Sequence, residues 1–413
     1  MKHLFLASCL AAVAMAPAVF AQGFGGPQGG GGVPNTDKTA DVNYVGDGKG
    51  YHTLDIYIPK DAKESYPVVI HTYGSAWSMN NMKGSADLST ICAAYAKAGY
   101  AVVTPNHRSA SDAIYPAQLH DIKAVVRFVR GNAAKYKFDT TFIAVSGFSS
   151  GGHLSSLTAT TCGLKEGKSG SVTVDLVGDL GEYTSLSSCV DGAVLWSPPT
   201  DIYTMNPISM GGSGTMEGKF IGVEREGNKD KWMVASSPYY ASEDDPPVII
   251  FHGTSDQVVN IEQSQELYDS LKNHNVVTEF VKVSGGQHGG DVMYASANLD
   301  KAVEFLDKAR EAKAAAAVVV PPDSGVQDSS GTDSTTVLPV ERMRQLQVAL
   351  HGNMLVAGTG GECRFAVASV TGSLAWFGSF RGTLDLSSLS SGVYAIVVTA
   401  PSGAKKSLKF FKK

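Results

Sequence analysis

The chain has 413 residues, more than one domain usually holds and enough for a large catalytic-sized core plus an appendage. Hydrophobic residues make up 43% and charged residues 18%, while 34 Lys and Arg against 39 Asp and Glu leave a formal net charge of -5. That balance is ordinary for a globular protein and gives no basis for binding nucleic acid.

Residues 1–21 open with Lys2 and His3, continue as an apolar run from Leu4 to Phe20, and end in Val19-Phe20-Ala21. This predicts a cleaved signal peptide, hence a secreted or cell-surface protein. The alternative is a membrane anchor, but the run is short for a span and glycine-rich polar sequence follows it. No other stretch is apolar enough to cross a bilayer. Residues 22–37 are Gly-rich and read as a flexible leader.

From 38 to 317, short β-branched runs alternate with helical patterns, which predicts an α/β unit with a mostly parallel central sheet covered by helices. The clearest buried strands are Val68–His71, Ala101–Thr104, Phe142–Val145, Ala193–Trp196 and Val248–Phe251, and a strand is expected from Thr278 to Val283. The last helix runs from Leu299 to about Ala317. Residues 318–338 hold Pro321-Pro322 and a Ser/Thr/Asp/Gly stretch too polar to bury a core, so they read as a linker. Residues 339–413 show short alternating segments between glycines, such as Gly392–Val398, which suit a small all-β sandwich.

Of the five cysteines, Cys9 falls in the expected signal peptide and Cys92 sits in an alanine-rich helical pattern. Export makes a disulfide between Cys162 and Cys189 reasonable, with two separate thiols as the alternative.

Gly147-Phe148-Ser149-Ser150-Gly151 follows the strand ending at Val145 and precedes a helical pattern over 152–159. Strand, tight turn and helix are the context in which a serine hydroxyl is thrust out as a nucleophile. Such a serine needs a base, and the base an orienting carboxylate. Asp256 lies in His252-Gly253-Thr254-Ser255-Asp256 just past a buried strand, and His288 lies in the glycine-rich loop Gly285–Gly290. Ser149, Asp256 and His288 are therefore the candidate catalytic residues, in the chain order this arrangement requires. The strand Val68–His71 runs into Thr72-Tyr73-Gly74-Ser75-Ala76-Trp77, so the backbone amides of Ser75, Ala76 and Ser150 are candidates to hold an oxyanion.

Trp77, Tyr73, Trp196 and Trp232 are candidates for stacking on a flat substrate face, with core packing as the competing reading, strongest for Trp196. The long Gly- and Met-rich segment from Tyr203 to Tyr240 is a candidate partial lid. No metal-ligand spacing stands out, no cofactor is implied, and the remaining histidines, His252 among them, read as structural. Asp201 reads as a turn cap.

Over about residues 40–310 the chain resembles the acetyl xylan and feruloyl esterase group of α/β-hydrolases, near the lipase/esterase branch with an H-G-G-G oxyanion motif. The resemblance is carried by Tyr73–Trp77, Tyr115-Pro116-Ala117-Gln118 with His120-Asp121-Ile122-Lys123, Arg127–Ala133, the elbow running into Gly152-His153-Leu154, Ser197–Asp201, His252–Asp256 and Gly286–Gly290. It implies the same triad. Departures are Tyr73 in place of the family's oxyanion histidine, Ser75 in place of a glycine, and Asn106-His107-Arg108 where Asn-Tyr-Arg is usual. These bear on the acyl preference and leave the chemistry intact. The last 75 residues resemble C-terminal sorting domains of cell-envelope secretion systems, on Asp385–Leu389, Ser391–Tyr394 and a lysine-rich end.

The resemblance and the expected export imply hydrolysis of acetyl or feruloyl esters of plant cell-wall polysaccharide such as xylan, with secretion machinery or the cell envelope as a partner of the C-terminal domain. One rival is a serine exopeptidase of the same fold, although the leader is too short for a gating domain. Another is a non-catalytic carbohydrate-binding or adhesion protein, against which an intact triad argues.

Overall fold

The computed structural model describes residues 32–84, 87–209 and 214–317, then 348–351, 353–357, 361–369, 374–399, 401 and 405–412. The expected signal peptide, most of the leader, the linker and residues 339–347 lie outside the described residues. Two compact units result. The first comprises residues up to His274 and Thr278–Leu306, the second Asn275–Val277 and Asp307–Lys413.

The first unit is built on an eight-stranded sheet. Its strands are β1 (Thr36–Asn43), β2 (Thr53–Pro59), β3 (Tyr66–Thr72), β4 (Ala101–Pro105), β5 (Phe138–Phe148), β8 (Gly192–Trp196), β9 (Val248–Gly253) and β10 (Thr278–Val283), with β6 (Glu166–Ser169) and β7 (Val172–Asp175) forming a separate hairpin. The spatial order is β1-β2-β4-β3-β5-β8-β9-β10. Only β2 runs antiparallel to its neighbours on both sides. From β4 to β10 the pairs are parallel.

The apolar runs read from the sequence form the middle of this sheet for a simple reason. Val68, Val69, Ile70, Val102, Val103, Val145, Val194, Leu195, Ile249 and Ile250 are all shielded from water, because helices cover both faces and neither side of such a strand can be polar. At the rim the rule changes. β1 is largely exposed and carries Asp37, Lys38 and Asp41, which suits an edge that must not recruit another strand. It begins at Thr36, two residues inside the segment expected to be leader, and Val33 just before it is buried.

The helices are α1 (Ile91–Lys97), α2 (Ala117–Gly131), α3 (Ser150–Thr160), α4 (Glu262–Asn273) and α5 (Ser296–Ala317), with shorter turns between. Helix α3 is buried along its whole length, so it can be made of Gly, Ser, Thr and Leu without an amphipathic stripe. The Tyr203–Tyr240 segment contains two short helices, Met216–Ile221 and Lys229–Met233. Within it the Arg225 guanidinium donates to the carbonyls of Tyr203 and Met205 at 2.9 and 3.1 Å, and Tyr115 ties it down by donating its amide to the Phe220 carbonyl at 2.8 Å and its hydroxyl to the Val234 carbonyl at 2.7 Å.

The order β4-β3-β5 places a topological switch point between β3 and β5, because the chain leaves β3 for one side of the sheet and returns on the other. Loops leaving the carboxyl ends of two such strands diverge and open a crevice, the usual place for a ligand in this architecture.

The second unit takes in the end of α5, and its residues from Val348 onward are all β. A three-stranded sheet, β11 (Val348–His351), β12 (Met354–Ala357) and β15 (Thr383–Asp385), shares one core with a four-stranded antiparallel sheet of β13 (Cys363–Ser369), β14 (Leu374–Phe380), β16 (Gly392–Thr399) and β17 (Lys405–Lys412). Leu355, Phe365, Val367, Phe380, Leu386, Ile396, Val398 and Phe410 fill that core. No helix among the described residues is long and apolar enough to cross a membrane.

Cys162, just past α3, and Cys189, just before β8, are joined in a disulfide across 27 residues. Closing a loop of that length stabilises a fold by about 3 to 4 kcal/mol in the chain-entropy account. Peptide mapping without reductant is expected to recover both cysteines in one linked fragment, and the Cys162→Ser/Cys189→Ser double variant to unfold at lower denaturant. Both cysteines alkylated in the native protein would contradict the pairing.

Candidate active site

The crevice is organised by Ser149, at the turn between β5 and α3. Its backbone sits at φ +53° and ψ -124°, in a region that residues with a side chain avoid. The turn survives because its neighbours have no side chains to lose. A Cβ on Gly147 would run into the Gly151 carbonyl, one on Gly151 into the Thr72 carbonyl, and one on Gly74 would lie 2.7 Å from the Ser149 Cβ. The Ser149 amide donates to the Trp196 carbonyl at 2.9 Å, anchoring the turn to β8.

Ser149 Oγ lies 2.9 Å from His288 Nε2, and His288 Nδ1 lies 2.8 Å from Asp256 Oδ2. With Nδ1–H donating to the carboxylate, Nε2 accepts from the serine hydroxyl, the tautomer a general base requires. The His288 ring packs on Phe148, 5.0 Å between centroids, which limits its swing. Ser149 and His288 are only 6% and 4% exposed, so their hydrogen bonds compete little with water.

The Asp256 side chain is buried, and its second oxygen accepts from the Val258 and Val259 amides at 2.8 and 3.0 Å. Burial alone pushes its pKa up. Hydrogen bonds and charge from His252 and His288 outweigh that and hold the carboxyl well below the usual carboxylate range. His252 is the unexpected member. Its Nε2 lies 2.9 Å from the Val259 carbonyl and 3.2 Å from Asp256 Oδ2, while Nδ1 takes the Ser264 hydroxyl at 2.6 Å. The histidine read as merely structural thus grips the same carboxylate oxygen as His288. Its spacing, four residues before Asp256 and at the end of β9, was the available signal.

The loop after β3 approaches the elbow as expected, but its three nominated amides are not equivalent. The Ser75 amide donates to Ser150 Oγ at 2.8 Å, so it is committed to the protein. The amides of Ala76 and Ser150 have no acceptor among the described residues. The oxyanion candidates therefore reduce to Ala76 and Ser150, and the Ser150 side chain becomes a latch joining the two loops. Ala76 and Trp77 both adopt positive φ, +47° and +56°, which turns the loop back.

The four aromatic candidates for substrate stacking are corrected. Trp77, Tyr73, Trp196 and Trp232 are at most 1% exposed and present no face to a ligand. Trp77 stacks on Phe220 at 4.6 Å and donates Nε1–H to His153 Nδ1 at 3.2 Å. His153 in turn donates to the Ala235 carbonyl at 2.7 Å, and burial pushes its pKa down to about 4, so it stays neutral and can accept from the indole. Trp196 stacks on Phe251, Tyr73 stacks on His107 and donates to the Met79 carbonyl, and Trp232 donates to the Val223 carbonyl. Large aromatics bury most of their area whenever a core is near, and here they brace the crevice from behind. The large apolar side chains left exposed on loops beyond the carboxyl ends of β3, β4 and β10 are Met79, Ile114 and Val292, at 44%, 52% and 52%.

Residues 54–271 match the BD-FAE family, more than half of the chain. The chain belongs to the BD-FAE family. Among solved structures it is similar to a truncated carbohydrate esterase from gut microbiota, with 39% identity, a TM-score of 0.65, and coverage of 68% of this chain and 99% of that one. It is also similar to a bifunctional GH43-CE protein of Bacteroides eggerthii, with 42% identity, a TM-score of 0.63, and coverage of 66% of this chain and 35% of that one. Together with the sheet order, these likenesses identify the first unit as an α/β-hydrolase. A sequence relative is the "Probable carboxylic ester hydrolase LipM" of Mycobacterium tuberculosis, 27% identical over 234 residues, 56% of this chain and 51% of that protein. The chain thus spans about half the length of that relative.

Replacing His252 by Asn removes one of the two imidazoles on Asp256. A hydrogen bond to a buried charge contributes about 1.5 to 3 kcal/mol, so turnover of a small aryl acetate should fall about 10- to 100-fold in kcat with KM little changed. A folded variant with kcat within about twofold of the parent would contradict this role.

Proposed function

We propose that the protein is a secreted serine carboxylesterase that removes acetyl or feruloyl groups from plant cell-wall polysaccharide such as xylan. The observation that carries the reading is the unbroken hydrogen-bonded chain from Asp256 through His288 to Ser149, ending in a hydroxyl raised by a strained turn.

In this reading His288 Nε2 takes the Ser149 proton as Oγ attacks the ester carbonyl carbon. The carbonyl oxygen gains negative charge, which the Ala76 and Ser150 amides are positioned to meet. The ester C–O bond then breaks, and His288 returns its proton to the departing sugar hydroxyl. Water next attacks the acyl-enzyme, His288 again accepts the proton, and carboxylate leaves as Ser149 Oγ is reprotonated. Asp256 remains ionised and stabilises the imidazolium formed in each half.

Carbohydrate as the alcohol is supported by the two similar solved proteins, one a carbohydrate esterase and one a GH43-CE fusion. Export rests on the apolar leader of residues 1–21, and attachment or sorting on the basic all-β unit after the linker.

Ser149→Ala and His288→Ala are each expected to lose on the order of 10^4 to 10^6 in kcat, and Asp256→Ala somewhat less, because the three act as a unit. Wild-type protein should release acetate from acetylated xylan or ferulate from feruloylated arabinoxylan in a side-by-side assay. A Ser149 or His288 variant keeping more than about a tenth of the wild-type rate would overturn the mechanism. Aryl acetate hydrolysis without release from either polysaccharide would overturn the substrate class alone.

A further inference from the structure

A cleft of about 600 Å³ lies apart from the triad, lined by Tyr51, Asn80, Asn81, Lys83 and Asn106 together with Asp41 and adjoining backbone. That volume falls in the range of small-molecule sites. Its place in the fold gives it meaning. Thr53 begins β2 and Asn106 follows the last residue of β4, while β3 and β5 pair Thr72 with Gly147, so the cleft and Ser149 open on the same edge of the sheet. Neighbouring strands lie about 4.8 Å apart, which puts β4 and β2 roughly 10 and 14 Å from β5 in the order β2-β4-β3-β5. The segment bridging that distance is the oxyanion loop itself, which runs from Ser75 and Ala76 on to Asn80 and Asn81.

The lining is rigid and electrically balanced. Lys83 is buried, with its ammonium held by Asp41 at 2.9 Å and by Asp55, and Asp55 also pairs with Lys38 at 2.7 Å. Two cations thus face two carboxylates, so the floor offers no spare charge to a phosphate or a uronate. Asn106 is buried and fixed, receiving the Lys83 amide on Oδ1 at 3.0 Å and donating to the Gly50 carbonyl at 3.2 Å. Asn80 donates to Asp112 at 2.8 Å. At the rim, the exposed Asn81 and the partly exposed Tyr51 have side chains with no hydrogen-bond partner among the described residues. Amides that both donate and accept, a phenol ring, and no net charge form the chemistry that recognises the hydroxyls and C–H faces of a neutral sugar.

We infer that this cleft is a subsite for the neutral glycan backbone, about two or three sugar units along the chain from the ester at Ser149, given the strand spacing. The inference rests on the carbohydrate-esterase reading above. It assigns recognition of the polysaccharide to Tyr51 and the Asn80–Asn81 stretch, in place of the buried tryptophans.

The test compares Tyr51→Ala and Asn81→Ala with wild type on p-nitrophenyl acetate, on monoacetylated xylose and on acetylated xylo-oligosaccharides of four or more units. The ratio of kcat/KM for the long substrates to that for p-nitrophenyl acetate should fall about tenfold in each variant, through KM, whereas the ratio for monoacetylated xylose should stay within about twofold. Unesterified xylotetraose should bind the Ser149→Ala protein and lose that binding when Tyr51→Ala is added. Unchanged ratios in both variants, or equal losses on short and long substrates, would overturn the subsite while wild-type activity on the acetylated oligosaccharides still stood. If wild type hydrolysed only p-nitrophenyl acetate, the carbohydrate reading would fall first and the subsite with it.

Discussion

Ser149 keeps a backbone conformation that costs an ordinary residue on the order of 1 to 3 kcal/mol, and the structure around it exists to hold it there. The Trp196 carbonyl takes its amide, and β3, β5 and α3 approach so closely that only glycine fits at 74, 147 and 151. Relaxing the turn would move Oγ away from His288 Nε2, which waits 2.9 Å away. The strain is therefore offset by the packing of a fully buried helix on β3, β5 and β8.

From that point the site extends as a set of buried polar links. One runs through His288 to Asp256, which four donors keep ionised despite its burial. Another joins the oxyanion loop to the elbow through Ser75 and Ser150, and a third ties Trp77 through His153 to the Ala235 carbonyl. Each leaves a backbone amide or an imidazole in a single orientation, which is how preorganised electrostatics differ from the fluctuating dipoles of water. The second unit, with its own core, supplies none of these links.

Much of this was legible in the sequence, and the reasons for the rest are physical. Strands such as Val248–Phe251 announce themselves because burial on both faces demands an unbroken apolar run. The edge strand β1 does not, since an exposed strand can carry Asp, Lys and Thr as a loop would. Ser149, Asp256 and His288 stood out through their order and their loop contexts, and the fold gathers them into one hydrogen-bonded chain. Residue type could not say which way an indole faces, so Trp77 and Trp232 were read as substrate contacts when they line the core. Only its spacing from Asp256 sets His252 apart from the scattered histidines, because its role depends on β9 placing residue 252 beside the carboxylate four residues later. The commitment of the Ser75 amide to Ser150 Oγ was likewise invisible, being a contact between loops 75 residues apart.

The account depends on Ser149 being a hydroxyl activated by its surroundings. Treating the full-length protein with a fluorophosphonate and mapping the adduct by mass spectrometry tests that directly. The prediction is one adduct per chain, on the Ser149 peptide, formed far faster than in the His288→Ala protein. An adduct elsewhere, or a Ser149 adduct that forms as fast without His288 as with it, would contradict the account.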